Sequence, residues 1–270
     1  MRNATLNYKK NSVPACGVAD VDACAFIIAT GITDTTIKNA LNDLCVDLKA
    51  FGLFSECFAI YPMAGGTSDT HKYNLIDPRD LDAAYRLDFS TAAAGWTHSA
   101  DGALPNGITE DANTFLNMST VMDTNSHGVT YAYNTTTTHI GTAMGAYTGT
   151  TASFRALNGE SLTGANADNT FAGADQGDGT CEGVVTSVKT SSTSHTTMKN
   201  GVTVASGSGG GSAPNETISL AYQTGRAGAA QRDNKRFCFA AIHNGLTNTQ
   251  IINMHTAVDD YNTALSRKTW

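Results

Sequence analysis

Between Phe58 and Leu116 the chain sets short apolar bursts between Gly, Asn, Asp and Pro, the cadence of a sheet protein with tight corners. FAIYPM (58–63) predicts a buried strand stopped by Pro62 and the Gly65-Gly66 pair. In YRLDF, Tyr85, Leu87 and Phe89 alternate with Arg86 and Asp88, the period of a half-buried strand. GALPNG (102–107) joins two turn signals around one proline. Further along, VTYAYN (129–134), HIGTAMGAY (139–147), ASFRAL (152–157), GVVTSVKT (183–190), HTTMKNGVTVAS (195–206), TISLAYQT (217–224) and RFCFAAI (236–242) predict more short strands. Asn200-Gly201 marks a hairpin, because this pair tolerates the positive φ values of a type I′ turn. GSGGGSAPN (207–215) reads as a surface loop, since strand-like sequence resumes directly after it.

Two helical patterns frame these strands. From Asp34 to about Phe51, Ile37, Leu41, Leu44, Leu48 and Phe51 recur every third or fourth position; Thr33 or Asp34 can cap the start and Gly52 stops the helix. From Thr247 to about Leu265, Ile251, Met254, His255, Val258, Tyr261 and Leu265 share a side, and Thr247 with Gln250 forms a capping-box pattern. Each apolar stripe must cover something, and an edge or end of a sandwich is the expectation for the first. The result is a mainly β, two-sheet antiparallel sandwich with an N-terminal and a C-terminal helix. With 270 residues the chain can bury about three quarters of its unfolded surface in one core. The expected division is a leader over 1–30, irregular through 19 and readable as a tether or a frayed tail, then a single domain over 31–270.

The runs YPMAGGTSDTHKYNLIDPRDLDAAYRLDF (61–89), GWTHSADGALPNG (95–107) and RFCFAAIHNGLTNTQIINMHTAVDDYNTAL (236–265) resemble bacteriophage virion proteins carrying a concanavalin-A-like (laminin-G-like) lectin/glucanase domain. The resemblance spans about 20–267 at its ends, while roughly 125–225 matches only as generic strand-and-turn sequence. It implies a jelly-roll sandwich and a virion structural protein on the particle surface, as capsid decoration, head fibre or tail fibre. Weak glycan binding would aid host adsorption, and a dedicated tail lectin is the alternative. The implied partners are other virion proteins, further copies of the chain and host cell-surface polysaccharide.

Charge and chemistry narrow this picture. Only 15% of residues are charged and the net charge is −7, which argues against a surface that tracks phosphates, so no nucleic-acid partner is expected. No signal-peptide pattern opens the chain, and CAFIIATG (24–31) falls short of the ~20 apolar residues of a membrane span, so a protein made and kept in a cytoplasm, or carried out on a particle, is expected; the resemblance implies the virion, with synthesis in the host cytoplasm. Cys16, Cys24, Cys45, Cys57, Cys181 and Cys238 contain no C-x-x-C pair to start a zinc site; reduced, buried thiols are expected, with the neighbouring Cys16 and Cys24 left open.

Glucanases of this sandwich class carry E-x-D-x-x-E on one strand, and that motif is absent; the adjacent Glu110-Asp111 would point to opposite faces. With no other nucleophile or phosphate motif, the chain is not expected to be an enzyme and needs no cofactor. The seven histidines read as surface or packing residues. Asp168, Asp175 and Asp178, with Glu182, form a glycine-rich acidic stretch that could supply oxygens to calcium or be a solvated turn. Trp96, with His98, Asp101 and Asn106 in a turn-rich loop, is the candidate sugar site, the competing reading being that Trp96 is core. Tyr131 and Tyr133 should pack inward, and Asp77, Arg79, Asp80 and Asp82 should tie a corner.

Overall fold

The computed structural model describes residues 16–89, 95–135, 141–149, 152–158, 163–167, 172–174, 182–207, 213–225 and 232–270. It is mainly β, with two sheets. The first contains β1 (Cys57–Tyr61), β2 (Thr97–Ser99), β3 (Gly102–Leu104), β5 (His127–Tyr133), β10 (Gly183–Ser191), β11 (Ser194–Lys199), β12 (Val202–Gly207) and β15 (Phe237–His243), in the order β12-β11-β10-β5-β15-β3-β2, with β1 also on β15. The second contains β4 (Ala112–Asn117), β6 (Gly141–Gly149), β7 (Ala152–Asn158), β8 (Thr163–Ala167), β9 (Ala172–Ala174), β13 (Thr217–Leu220) and β14 (Gln223–Thr224), in the order β4-β13-β6-β7-β8-β9. Among the described strands pairing is antiparallel except that β14 runs parallel to β6.

Two apolar layers flank the first sheet. Val129, Tyr131, Tyr133, Val185, Ala240 and Ile242 face Met144, Ile218 and Leu220 of the second sheet and fill the sandwich interior. On the opposite face, Ala132, Val184, Val188, Phe239 and Ala241 pack against helices α1 (Val21–Thr30), α2 (Thr35–Ala50) and α5 (Asn248–Ala264). The helices therefore cover the central strands of the first sheet on one face, not the edge or end expected for the first of them. This explains why β5 and β15 are buried along their full length. Tyr131 and Tyr133 do point inward, with ring centroids 5.1 Å apart. The Tyr133 hydroxyl donates to Asp233, whose carboxylate pairs with Lys235 at 2.6 Å, and both charges are fully buried.

Local chemistry sets the ends of these elements. Asp34 caps α2 by accepting from Ile37 N at 2.9 Å, and Thr247 with Gln250 forms the capping box of α5. Asn200 and Gly201 take φ of 47° and 80°, the hairpin turn predicted between β11 and β12. Helix α1 is new. Asp20 caps it, Gly31 ends it at φ 67°, and Lys49 of α2 pairs with Asp20 and Asp22 at 2.6 Å. A disulfide joins Cys16 to Cys24. Phe26 and Ile27 are buried, so from Cys16 onward the segment read as leader is part of the packed body.

YRLDF does not form the expected strand. Tyr85 turns left-handed at φ 58° to end a 3-10 turn over Asp82–Ala84, and its carbonyl is held by the Tyr61 hydroxyl at 2.6 Å. Leu87 N donates to Lys72 O at 2.7 Å, and only Asp88 makes a bridge, to Asn113. The alternation marks burial, with Leu87 inside, but single long-range hydrogen bonds replace a ladder. The acidic corner is tied as expected: Asp77 pairs with Arg79, Asp80 with Lys72 at 2.7 Å, and Asp82 with Arg86 at 2.8 Å.

Candidate binding cleft

A cleft of about 370 Å³ opens where helix α3 (Ser68–His71) and the connection through Leu87 meet β2. The Gly65-Gly66 turn, with φ of 90° and 78°, delivers the chain to Thr67, which caps α3. One wall is aromatic: Phe89 stands edge-on to Trp96 at 5.1 Å and to His98 at 4.7 Å, and Trp96 and His98 stack at 6.3 Å. Asp69, Lys72, Arg86 and Asp88 line the rest, with Gly95 and Leu87 between. The two cations are partnered within the corner, Lys72 by Asp80 and Arg86 by Asp82, so the lining is polar with its charges matched.

Trp96 joins the two sequence readings. It packs against the sandwich interior, with Phe237 at 6.2 Å, and its indole N–H donates to Asp111 O at 3.3 Å, yet it also lines the cleft. His98 of β2 stands beside it. Behind His98 lies His71, fully sealed, whose Nδ1 is 3.0 Å from His98 Nδ1 and whose Nε2 accepts from Gly66 N at 3.2 Å. Burial, with smaller contributions from His98 and Arg267, pushes the His71 pKa down to about 3.

The structure separates the other two candidates from the cleft. Asp101 sits in the β2–β3 turn, where its carbonyl accepts from Asn134 at 2.9 Å and its carboxylate faces Arg236 at 3.9 Å. Asn106 is consumed locally: its Nδ2 donates to Glu110 at 2.6 Å, and its Oδ1 accepts from Ile108 N at 2.7 Å and Thr109 N at 3.1 Å. Glu110 points inward and is fully buried, while Asp111 pairs with Arg232 at 3.0 Å, so the adjacent carboxylates do diverge. Asp168, Asp175 and Asp178 lie outside the described residues. Among the described residues no group of three metal-ligating side chains comes together, and no helix is long and apolar enough to cross a membrane.

His71, His127, His195, His243 and His255 are buried, in keeping with the packing role expected of them; His139 lies outside the described residues. Sequence reasoning missed Lys72, Arg86, Asp88 and Phe89 as cleft residues. Their signal is the density of charged and aromatic residues between Phe58 and Leu116, from which the sequence singles out only Trp96, His98, Asp101 and Asn106 as a site.

No protein-family model matches the chain, and no curated protein matches it. Among solved structures, domain 4 of AbnA, a GH43 extracellular arabinanase from Geobacillus stearothermophilus solved with arabinotriose, aligns at 14% identity and TM-score 0.42, over 74% of this chain and 98% of that one. The binding domain of botulinum neurotoxin serotype D aligns at 8% identity and TM-score 0.49, over 75% of this chain and 51% of that one. A mutant of Trypanosoma rangeli sialidase with trans-sialidase activity aligns at 10% identity and TM-score 0.47, over 83% of this chain and 39% of that one.

Proposed function

We propose that the chain is a saccharide-binding sandwich domain, and that it serves on the surface of a bacteriophage virion. The binding reading rests on one observation: Phe89, Trp96 and His98 form an aromatic wall opposite Asp69, Lys72, Arg86 and Asp88 in a single cleft. A sugar ring offers an apolar C–H face and a ring of hydroxyls, which an aromatic plane and flanking hydrogen-bonding groups complement. The virion reading rests on the sequence resemblance of residues 61–89, 95–107 and 236–265. Weak sites on many copies of a surface protein gain strength through multivalency, which suits host adsorption.

Binding without hydrolysis is part of the proposal. The paired-carboxylate strand motif is missing, and the buried Glu110 is held by Asn106 instead of facing the cleft. The experiment is an array of bacterial surface polysaccharides probed with the purified chain and with Trp96→Ala. Binding by the wild type that disappears in a folded W96A protein supports the cleft. Equal binding by both removes the cleft from the site, and release of reducing ends from a bound glycan overturns the non-catalytic reading. Presence of the chain in purified phage particles tests the virion role separately.

A further inference from the structure

We infer that His71 is a positioning residue for the cleft: it fixes His98 as a neutral imidazole with its proton on Nε2, a single N–H donor offered to an acceptor oxygen. The inference rests on the saccharide reading only for the identity of the ligand.

The order of donors follows from one backbone amide. Gly66 N can only donate, so His71 Nε2, 3.2 Å away, must carry a lone pair. His71 is sealed from solvent and stays neutral, which leaves its proton on Nδ1. That proton points at His98 Nδ1, 3.0 Å away, so this nitrogen must accept, and the proton of His98 resides on Nε2. His98 Nε2 has no hydrogen-bond partner among the described residues, and its ring lines the cleft. A second proton on His98 would set N–H against N–H across the pair. Burial acts in the same direction and lowers the His98 pKa. The charged groups around the pair are Asp69, Lys72, Arg86 and Asp88 along the cleft and Arg267 toward His71.

The class of ligand atom follows. The cleft presents an N–H at this point and no lone pair, so it matches an ether, carbonyl or hydroxyl oxygen acting as acceptor. A lone imidazole in the same place would exchange tautomers and take up a second proton more readily. Held by His71, it should recognise the same oxygen at mildly acidic and neutral pH alike.

The test is a two-bond ¹H–¹⁵N correlation spectrum of the full chain labelled at histidine, recorded between about pH 5 and pH 8 around the ordinary midpoint. The wild type should show His98 protonated on Nε2 and unprotonated on Nδ1, with no titration near 6.5, and His71 with the opposite pattern. His71→Leu should release His98 into a tautomer mixture whose titration midpoint lies above that of the wild type. His71→Asn, which keeps an N–H toward His98, should hold the wild-type pattern and provides a second variant should the leucine protein not fold. His98 protonated on Nδ1, or titrating near 6.5 in the wild type, overturns the inference. Affinity for an array-selected glycan should be flat across that pH range in the wild type and sloped in H71L; a wild-type slope centred near 6.5 also overturns it. An array with no binder removes the saccharide reading while the spectrum still decides the histidine pair.

Discussion

Thr130 and Thr186 meet hydroxyl to hydroxyl at 2.7 Å between the first sheet and α5, and each also bonds a buried histidine. His243 Nδ1–H donates to Asn244 O at 2.7 Å, so its Nε2 accepts from Thr130 at 3.0 Å. Thr130 in turn accepts from Thr186, which accepts from His255 Nε2–H at 2.9 Å, while His255 Nδ1 accepts from Gly201 N at 2.8 Å. Every link runs one way and both rings are neutral.

Acid should therefore undo the fold early. Burial lowers the pKa of His243 and of His255 to about 4, against 6.5 for a free histidine. Between those values the unfolded chain binds more protons than the folded one, so stability is full above pH 6.5 and is lost as pH falls toward 4. Each ring accounts for on the order of 3 kcal/mol over the whole window. Melting temperatures recorded from pH 7.5 down to 4.5 should drop steeply below 6.5. A profile flat to pH 5 would contradict the ordered chain.

Arg267 closes the exit of β1 against β15. Its guanidinium donates to Met63 O at 2.9 Å, Pro62 O at 2.8 Å, Cys238 O at 2.6 Å and Asn262 Oδ1 at 2.6 Å, and it is 2% exposed. These bonds hold Met63 in the left-handed region, at φ 50°. Removing the fork leaves several buried acceptors without a donor. Arg267→Ala should cost about 3–5 kcal/mol in urea unfolding, and Arg267→Lys should recover less than half, because one ammonium cannot span the same carbonyls. A loss under about 1 kcal/mol for the alanine variant refutes this clamp.

Gly95 must lack a side chain for reasons of space. A Cβ there would fall 1.1 Å from Glu110 Oε1, which is buried and bonded to Asn106. Gly95→Ala should displace the carboxylate and cost about 2 kcal/mol or more. In a double-mutant cycle with Glu110→Ala the penalty should largely vanish, since the obstructing atom is gone. Additive losses would mean that the two positions do not meet.

The disulfide yields a redox prediction. Cys45, Cys57 and Cys238 are free and buried, and burial raises all three thiol pKa values, to about 12 for Cys57 and Cys238. Reductant should lower stability by about 2 kcal/mol through loss of the short loop between Cys16 and Cys24, and Cys16→Ser should reproduce that loss without reductant. Melting curves that coincide with and without reductant would remove the disulfide from the stability of the folded chain.

The strands and the two long helices were legible because their periods are regular, and the Asn200-Gly201 and Thr247/Gln250 signals are local chemistry. Helix α1 was not, since CAFIIATG is apolar nearly all round and shows no stripe. The helix-covered face of the first sheet was hidden by its composition. Gly128, Thr130, Ala132 and Thr186 are small or hydroxylated, so β5 and β10, unlike β15, do not read as the continuous apolar runs that two-sided burial usually produces. At the cleft, Trp96 and His98 announced themselves as aromatics beside turns. Asp101 and Asn106 were near in sequence, yet turn geometry consumed Asn106 through Ile108 and Thr109. Lys72 and Arg86 reach the cleft through α3 and the Tyr85 reversal, which no local period reports.

The pairing of β1 with β15 bears on how the chain is made. Cys57 lies opposite His243 and Tyr61 opposite Ala240, so β1 finds its ladder partner only in the last strand of the sequence. The same strand separates β5 from β3. On the ribosome, β1 emerges early and waits with open backbone groups while the second sheet is still being translated. Strands β5, β10, β11 and β12, and β2 with β3, can pair among themselves beforehand, but the first sheet closes only when β15 arrives between β5, β3 and β1. Chains truncated before Phe237 should leave β1 without its ladder and β5 parted from β3.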